Sequence, residues 1–169
     1  MRGNNLAAVQ RRKFRATTNS KHDYAVWPNM LNRDFSAAKP NSVWVSDITY
    51  IWTWEGWLYL AAVMDLYSRS IVGLAMDKTV AQSLTLSALK QAILRRCPPP
   101  GLICHSDRGS QYAGNAFKFL LSQHGLIGSM SKKGDCWDNA VAESFFHTLK
   151  VELIHRTKFR TREEAQRKI

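Results

Sequence analysis

The segments LICHSDRGSQY (residues 102–112) and SMSKKGDCWDNAVAESFFHTLK (residues 129–150) place Asp107 and Glu143, respectively, at well-defined points of predicted elements. Asp107 follows a short apolar run and precedes an Arg-Gly-Ser turn, which is typical of the point where a strand gives way to a loop. Glu143 lies in a helical pattern seven residues before Lys150, so these two side chains share one helix face. Both acids are therefore predicted to have defined positions.

A third acid, Asp47, lies upstream in VWVSDITYIW (residues 43–52). β-Branched and aromatic residues dominate this run, and alternate positions fall on one face, which predicts a strand. An acid in the middle of an apolar strand requires a partner or a cation. Further strands are predicted at residues 57–66 and 71–76, and the short connections make the first three strands an antiparallel meander.

The second half of the chain alternates between helical and strand patterns. Because a helix ended by Cys-Pro-Pro-Pro precedes the fourth strand, that strand is predicted to lie parallel to one already in the sheet. The fold class is thus predicted to be α/β, a five-stranded mixed sheet of three antiparallel strands followed by two parallel ones, with flanking helices. The predicted helices span residues 80–96, residues 115–124 and Asp138 or Asn139 (as the cap) to about Ile154, and the last two strands span residues 102–106 and 127–130.

Composition limits the class of protein. The 169 residues are 45% apolar, which is typical of one globular domain. No run approaches the ~18 apolar residues that a membrane helix requires, and no apolar signal segment opens the chain. We therefore expect a cytoplasmic protein with no membrane partner. The three cysteines are widely spaced and odd in number, which predicts reduced, packed thiols rather than disulfides.

The net charge of +11 is concentrated at the two ends of the chain. Residues 1–34 carry seven Lys or Arg against two acids, and residues 150–169 carry seven against three. A polyanionic partner explains this distribution, and a solubilising surface is the alternative. Residues 1–34 are predicted to form a basic flexible arm, and residues 35–169 the folded core.

If the first and fourth strands are neighbours, Asp47 and Asp107 meet at one edge of the sheet and Glu143 leans over both. Three close carboxylates raise one another's pKa unless a cation neutralises them. Oxygen ligands suit Mg²⁺ or Mn²⁺, and two such ions ~3.5–4 Å apart stabilise the attacking and the leaving oxygen of an in-line displacement. We therefore predict a catalytic metal site for phosphoryl transfer on DNA.

Each acid also has a simpler interpretation. Asp107 alone fits a turn acid, and Glu143 alone fits a solvent-facing helix acid. Asp65 competes for the second position, although its place at a strand end favours a capping role. The adjacent His105-Ser106-Asp107 sequence argues against a nucleophilic triad, because neighbouring residues of a strand point to opposite faces.

DNA contacts are predicted for basic residues close in sequence to the acids, for an aromatic residue in the loop before the last helix, and for the basic cluster of the arm. These residues are Arg11, Arg12, Lys13, Arg108, Lys132, Lys133, Trp137 and Lys150.

Three segments in order, residues 43–73, 103–112 and 129–156, resemble the integrase core of bacterial insertion-sequence transposases of the DDE superfamily. More narrowly, they resemble the catalytic reading frame of two-frame insertion elements related to retroviral integrases. The resemblance implies a ribonuclease H-like fold, with Asp47, Asp107 and Glu143 as the DDE triad. It also implies cleavage of DNA at the element ends by water, then attack of the freed 3′-hydroxyl on target DNA.

The chain departs from this family at both ends. Members usually continue into a further C-terminal helix and begin with a helical DNA-binding region, so the chain is expected to be truncated at both ends and to lack the final helix. We expect DNA as partner, a homo-oligomer on DNA, and a partner chain that supplies the helical region, all at the bacterial nucleoid. Two alternatives are a non-catalytic DNA-binding remnant and a ribonuclease H-like nuclease acting on other nucleic acids.

Overall fold

The computed structural model describes residues 22–132 and 136–169, with no account of the Cys136 and Trp137 side chains. Its strands are β1 (Val43–Thr53), β2 (Gly56–Asp65), β3 (Ile71–Asp77), β4 (Ile103–Ser106) and β5 (Ile127–Met130). Its α-helices are α1 (Gln82–Arg96), α2 (Ser110–Ala113), α3 (Asn115–Gln123), α4 (Ala140–Leu149) and α5 (Arg162–Lys168). A 3₁₀ turn (Cys136–Asn139) precedes α4, and a π-helical turn (Lys150–Ile154) follows it.

The five strands form one mixed sheet in the order β3-β2-β1-β4-β5. β1 pairs with β2, and β2 with β3, in antiparallel fashion, whereas β4 lies parallel to both β1 and β5. The predicted fold class is therefore confirmed. The β1–β2 hairpin closes at Gly56, whose φ of +106° favours glycine, and the Thr53 hydroxyl donates to the Gly56 carbonyl oxygen.

Helices cover both faces of the sheet. On one face, α1 and α3 bury Leu89 and Phe117 against Trp44 of β1 in the largest apolar cluster. On the other face, Phe146 of α4 and Phe159 pack with apolar residues of β1 and β2. α1 comes very close to β3 at Gly73, where a β-carbon would clash with the carbonyl oxygen of Ala88.

The last predicted helix differs from the prediction at both ends. Asn139 occupies the N-cap position, as predicted, but its side chain does not make the expected capping bond. The segment begins as a 3₁₀ turn and ends in a π-helical turn, so only ten of its residues are α-helical. Asp138 is instead almost fully buried and bonded to distant residues.

Two short helices, α2 and α5, were not predicted. α5 has a recognisable signal, because the Thr161 side chain accepts a hydrogen bond from the Glu164 amide at 3.0 Å, as in a Thr-x-x-Glu capping box. Its Arg162 donates to backbone oxygens of Glu55 and Trp57, which holds the end of the chain against the β1–β2 hairpin. None of the helices among the described residues is long and apolar enough to span a membrane.

The part of the predicted arm that the structure describes lies against β5. We call residues 27–33 the N-terminal strap. Its Met30 amide donates to the Ser129 hydroxyl at 3.0 Å, and the Trp27 ring covers Gly128, which has no side chain to displace it. Residues 1–21 lie outside the described residues, so the predicted domain division at residue 34 stays a prediction.

Candidate active site

The parallel register of β1 and β4 brings two of the predicted acids together. Ser46 of β1 pairs with Ser106 of β4, and the next residue on each strand is an aspartate, Asp47 and Asp107. The Asp47 carboxylate accepts a hydrogen bond from the Ile48 amide at 2.7 Å, and that of Asp107 accepts one from the Gly109 amide at 2.8 Å. Each carboxylate is thus oriented by its own local backbone.

The electrostatics of Asp47 show how crowded this end of the sheet is. Burial raises the pKa of Asp47 well above its usual range, and the neighbouring charge of Asp107 raises it further. The hydrogen bond from Ile48 and the charge of Lys150 act in the opposite direction. A cation between the carboxylates would remove this repulsion.

Glu143 lies in the first turns of α4 and is exposed. Its charge also raises the pKa of Asp47, though less than that of Asp107 does, and partial burial raises the pKa of Glu143 itself. In the described part of the chain, no three His, Cys, Asp or Glu side chains converge closely enough to hold a metal ion. The structure therefore joins the two aspartates, with Glu143 in electrostatic range, and the triad stays a prediction.

Lys150 is half-buried beside these acids. Its ammonium nitrogen lies 4.6 Å from the centre of the Tyr50 ring. Burial lowers the pKa of Lys150, and the negative charge of Asp47 partly offsets this effect. Lys150 opens the π-helical turn after α4, a rare geometry that is frequent at functional sites.

Tyr112 lies beneath the two aspartates and was missed by sequence reasoning. It is completely buried, with its hydroxyl 3.0 Å from the Ser46 hydroxyl. Because Ser46 donates its only hydroxyl proton to the Ala62 carbonyl, the Tyr112 hydroxyl must donate to Ser46. Burial and then the charges of Asp47 and Asp107 raise the pKa of Tyr112 well above its usual range, so the phenol stays neutral.

The predicted DNA contacts are only partly described. Arg108 donates from Nε to the Ser131 carbonyl at 2.6 Å, so its guanidinium ties the ends of β4 and β5 together. The Lys132 side chain is exposed. Arg11, Arg12, Lys13, Lys133 and the Trp137 side chain lie outside what the structure describes.

Asp65 and His105, two other polar residues considered as site residues, have structural roles. Asp65 is completely buried and accepts bonds from the Asn41 amide and the Ser68 hydroxyl, which confirms its predicted capping role. His105 is also completely buried, bonded to Ser129 and to the Asp138 carbonyl rather than aligned with a nucleophile.

Two cysteines are described, and both are free thiols. Cys104 is packed in the core, where burial raises the pKa of its thiol to about 12, as predicted for a packed thiol. Cys97 is exposed at the end of α1, so the prediction of packing is wrong there.

Comparison with known proteins points to one family. An integrase core domain model matches residues 37–136, and a second integrase core domain model matches residues 124–169. The insertion element IS600 uncharacterized 31 kDa protein of Shigella sonnei is 51% identical over 160 residues, covering 95% of this chain and 59% of that protein. Transposase InsF for insertion sequence IS3A of Escherichia coli (strain K12) is 47% identical over 163 residues, covering 96% and 57%. The chain thus spans less than two thirds of the length of these relatives.

Solved structures show the same fold. The simian T-cell lymphotropic virus intasome in complex with PP2A regulatory subunit B56 gamma matches with a TM-score of 0.65 at 20% identity, over 83% of this chain and 48% of that one. The HTLV-2 integrase catalytic core domain in complex with magnesium (trimeric form) matches with a TM-score of 0.58 at 20% identity, over 69% and 71%. The sheet order, these likenesses and the family match agree: the chain has a ribonuclease H-like fold and belongs to the integrase core domain family.

Proposed function

We propose that this chain is the catalytic core of a DNA transposase that cleaves DNA strands and joins a 3′-hydroxyl end to target DNA. The observation that carries the proposal is the parallel register of β1 and β4, which makes Asp47 and Asp107 neighbours at one end of the sheet. The 47% identity to Transposase InsF for insertion sequence IS3A supports the same reaction class. The reaction and its substrates are proposals for the whole protein, because the chain matches only 57% of that relative.

The donor set fits Mg²⁺ or Mn²⁺, held by Asp47, Asp107 and Glu143. Carboxylate oxygens are the ligands that these ions prefer, and the raised pKa of Asp47 is the repulsion that a cation relieves. Two bound ions would activate the attacking oxygen and stabilise the leaving oxygen of the phosphodiester. The likeness to an integrase core in complex with magnesium supports this choice of metal.

The protein's own groups orient the acids and bind the substrate. The Ile48 and Gly109 amides hold the two aspartates in defined rotamers, so less ordering is required when DNA binds. Lys150, half-buried and within the electrostatic range of Asp47, is suited to bind a DNA phosphate next to the scissile bond. Burial keeps the Tyr112 phenol neutral, and its hydroxyl donates to Ser46, the residue before Asp47.

We further propose DNA as the partner, bound by the basic ends of a chain whose net charge is +11. Assembly as a homo-oligomer on DNA, with a partner chain that supplies a helical DNA-binding region, is part of the same proposal. The proposed location is the cytoplasm, at nucleoid DNA. The predicted contacts of Arg108, Lys132 and Lys150 remain part of this proposal.

The test is a nicking and strand-transfer assay on duplex DNA with Mn²⁺, comparing the parent with Glu143→Gln. This change keeps size and hydrogen bonding but removes the charge that holds the metal, so we expect activity to fall more than about 100-fold. EDTA should abolish the parent's activity, and added Mn²⁺ should restore it.

The matched control is Glu152→Gln, an exposed glutamate in the turn that follows α4. It should retain nearly full activity. A parent that binds duplex DNA in a salt-dependent way but shows no metal-dependent nicking would contradict the proposal. The protein would then be one that binds DNA but does not cleave it.

A further inference from the structure

Asp138, two residues before α4, is buried and bonded to residues from two other segments of the chain. Its side chain is 2% exposed. One carboxylate oxygen accepts bonds from the Asn29 amide group at 2.8 Å and from the Lys132 backbone amide at 2.7 Å. The other lies 3.6 Å from Nε of Arg33. Two of these three partners belong to the N-terminal strap.

His105 is hydrogen-bonded to the backbone of Asp138. Its Nε2 lies 2.9 Å from the Asp138 carbonyl oxygen, and because a carbonyl only accepts, Nε2 carries the proton. Nδ1 therefore accepts from the Ser129 hydroxyl at 2.9 Å, and that hydroxyl accepts in turn from the Met30 amide. A continuous chain of bonds thus runs from the strap through β5 and β4 to Asp138.

The strap also shares an apolar cluster with α4. Leu31 is 6% exposed and belongs to the cluster that contains Ala142, which is 5% exposed and directly precedes Glu143. The strap is therefore bonded to the segment just before α4 and shares an apolar cluster with a residue of its first turn.

α4 has no side-chain cap of its own that could fix its direction. Asn139 makes no capping bond, and its buried side-chain oxygen has no hydrogen-bond partner. In the absence of a local cap, the direction in which α4 leaves the sheet depends on tertiary contacts. The strap supplies part of these contacts, beside Lys132 and His105 at Asp138 and the packing of Phe146 on β1 and β2.

We propose that the N-terminal strap positions Glu143 for catalysis by holding Asp138 and Ala142 at the start of α4. Asn29, Arg33 and Asp138 are then positioning residues for the reaction. The inference rests on the proposed function, and it adds residues that lie before the 37–136 match to the working site.

An exchange of the two bonded side chains tests this. Asn29→Asp alone places two carboxylates face to face. Asp138→Asn alone can still accept from Asn29 and Lys132 through its amide oxygen, and it loses the ion pair with Arg33. The double variant restores one amide–carboxylate pair with reversed polarity, but it loses the Lys132 bond, because the same Asp138 oxygen accepts from Asn29 and from Lys132. It also keeps the turn in which the residue 29 side-chain oxygen accepts from the Leu31 and Asn32 amides, because aspartate accepts these bonds equally well.

We expect Asn29→Asp to lower kcat in the Mn²⁺ nicking assay about 10-fold or more, and Asp138→Asn to lower it less, with KM for DNA changed less than about twofold in both. The double variant should recover part of the rate that Asn29→Asp loses, since contacting residues couple strongly. Hydrogen exchange of the α4 amides should accelerate in Asn29→Asp and slow again in the double variant. The matched control is Asp65→Asn, another buried aspartate, which accepts from the Asn41 amide and from the amide and hydroxyl of Ser68. It should lower Tm without changing kcat per folded molecule.

An Asn29→Asp protein with a lower Tm but an unchanged kcat would overturn the inference, as would a double variant that stays as slow as Asn29→Asp alone. Unchanged α4 exchange in Asn29→Asp would also overturn it. A parent without metal-dependent nicking is a different result, because it contradicts the proposed function itself.

Discussion

Asp47 is the residue whose surroundings are least favourable to its charge. It sits inside a strand of apolar and aromatic residues, is only partly accessible, and faces a second aspartate across the β1–β4 pair. A folded protein that keeps a carboxylate under such conditions sacrifices stability for chemistry. The cost is present in the folded state alone, because the unfolded chain separates Asp47 from Asp107.

Asp47→Asn should therefore stabilise the metal-free protein at neutral pH. The folded-state pKa of Asp47 is raised above its usual 3.8, so the folded protein binds this proton more tightly than the unfolded chain does. The charged carboxylate consequently costs stability at pH values above the raised pKa, and this cost fades as pH falls toward 3.8. A gain of about 1 kcal/mol would raise Tm by about 2–4 °C in a chain of this size.

The measurement is a set of thermal melts in EDTA between pH 5 and 8. The exposed Asp23→Asn serves as control and should leave Tm nearly unchanged. An Asp47→Asn protein that melts below the parent at pH 7.5 would contradict the argument.

At the scale of elements, two close contacts set where helix α1 and the N-terminal strap lie on the sheet. Gly73 allows the backbone of α1 to approach β3, and Gly128 allows the Trp27 ring of the strap to lie flat on β5. Close packing of this kind leaves no room for an added methyl group, because protein interiors are filled to crystal-like density. The position of Asp107 depends on the Gly73 contact, because α1 connects β3 to β4 and Asp107 directly follows β4.

Gly73→Ala should destabilise the protein by about 1–3 kcal/mol through overpacking. The new β-carbon meets the Ala88 carbonyl oxygen and lies 2.9 Å from the Ala92 β-carbon, so α1 must shift as a unit. Urea unfolding should show a lower midpoint with an unchanged slope. Ser87→Ala on the exposed side of α1 is the control, with an expected change within about 0.5 kcal/mol. A Gly73→Ala midpoint equal to the parent's would refute the close packing of α1 on β3.

At the scale of the whole molecule, charge is distributed unevenly along the chain. Residues 150–169 carry seven cationic side chains against three acids, and they start beside Asp47 at Lys150. They then run along the sheet to the β1–β2 hairpin, where the Trp54 amide donates to the Phe159 carbonyl oxygen at 3.1 Å. This places a basic segment on the same side of the sheet as α4.

DNA binding should therefore weaken steeply with salt. If about four phosphates are neutralised, raising NaCl from 50 to 200 mM lowers the affinity about 100-fold. Lys150→Gln should reduce the slope of log K against log salt by about 1. The control Lys90→Gln removes an exposed cation from α1, on the opposite face of the sheet, and should leave the slope unchanged. Equal slopes for all three proteins would exclude Lys150 as a phosphate contact.

The fold class and the elements that carry the three acids followed from sequence. The run of β-branched and aromatic residues in β1 and the helical spacing of α1 are local signals that survive in the folded protein, where β1 is buried on both faces and α1 on one. The Cys-Pro-Pro-Pro stop after α1 and the Gly56 hairpin are equally local, because they depend on backbone dihedrals. The sequence thus determined the sheet, its mixed character, the positions of Asp47 and Asp107 at its edge and the position of Glu143 on the last long helix.

The surroundings of these acids were decided by tertiary structure alone. Asn29 and Asp138 are 109 residues apart, and His22 and Arg108 are 86 apart. No local sequence pattern therefore predicts either contact. The capping bond predicted for α4 does not form for the same reason: Asp138 satisfies its oxygens with the strap and Lys132, because a buried carboxylate takes the donors that three-dimensional packing supplies. Local patterns determine which elements form, whereas burial of polar groups between distant segments determines how those elements are held at the site.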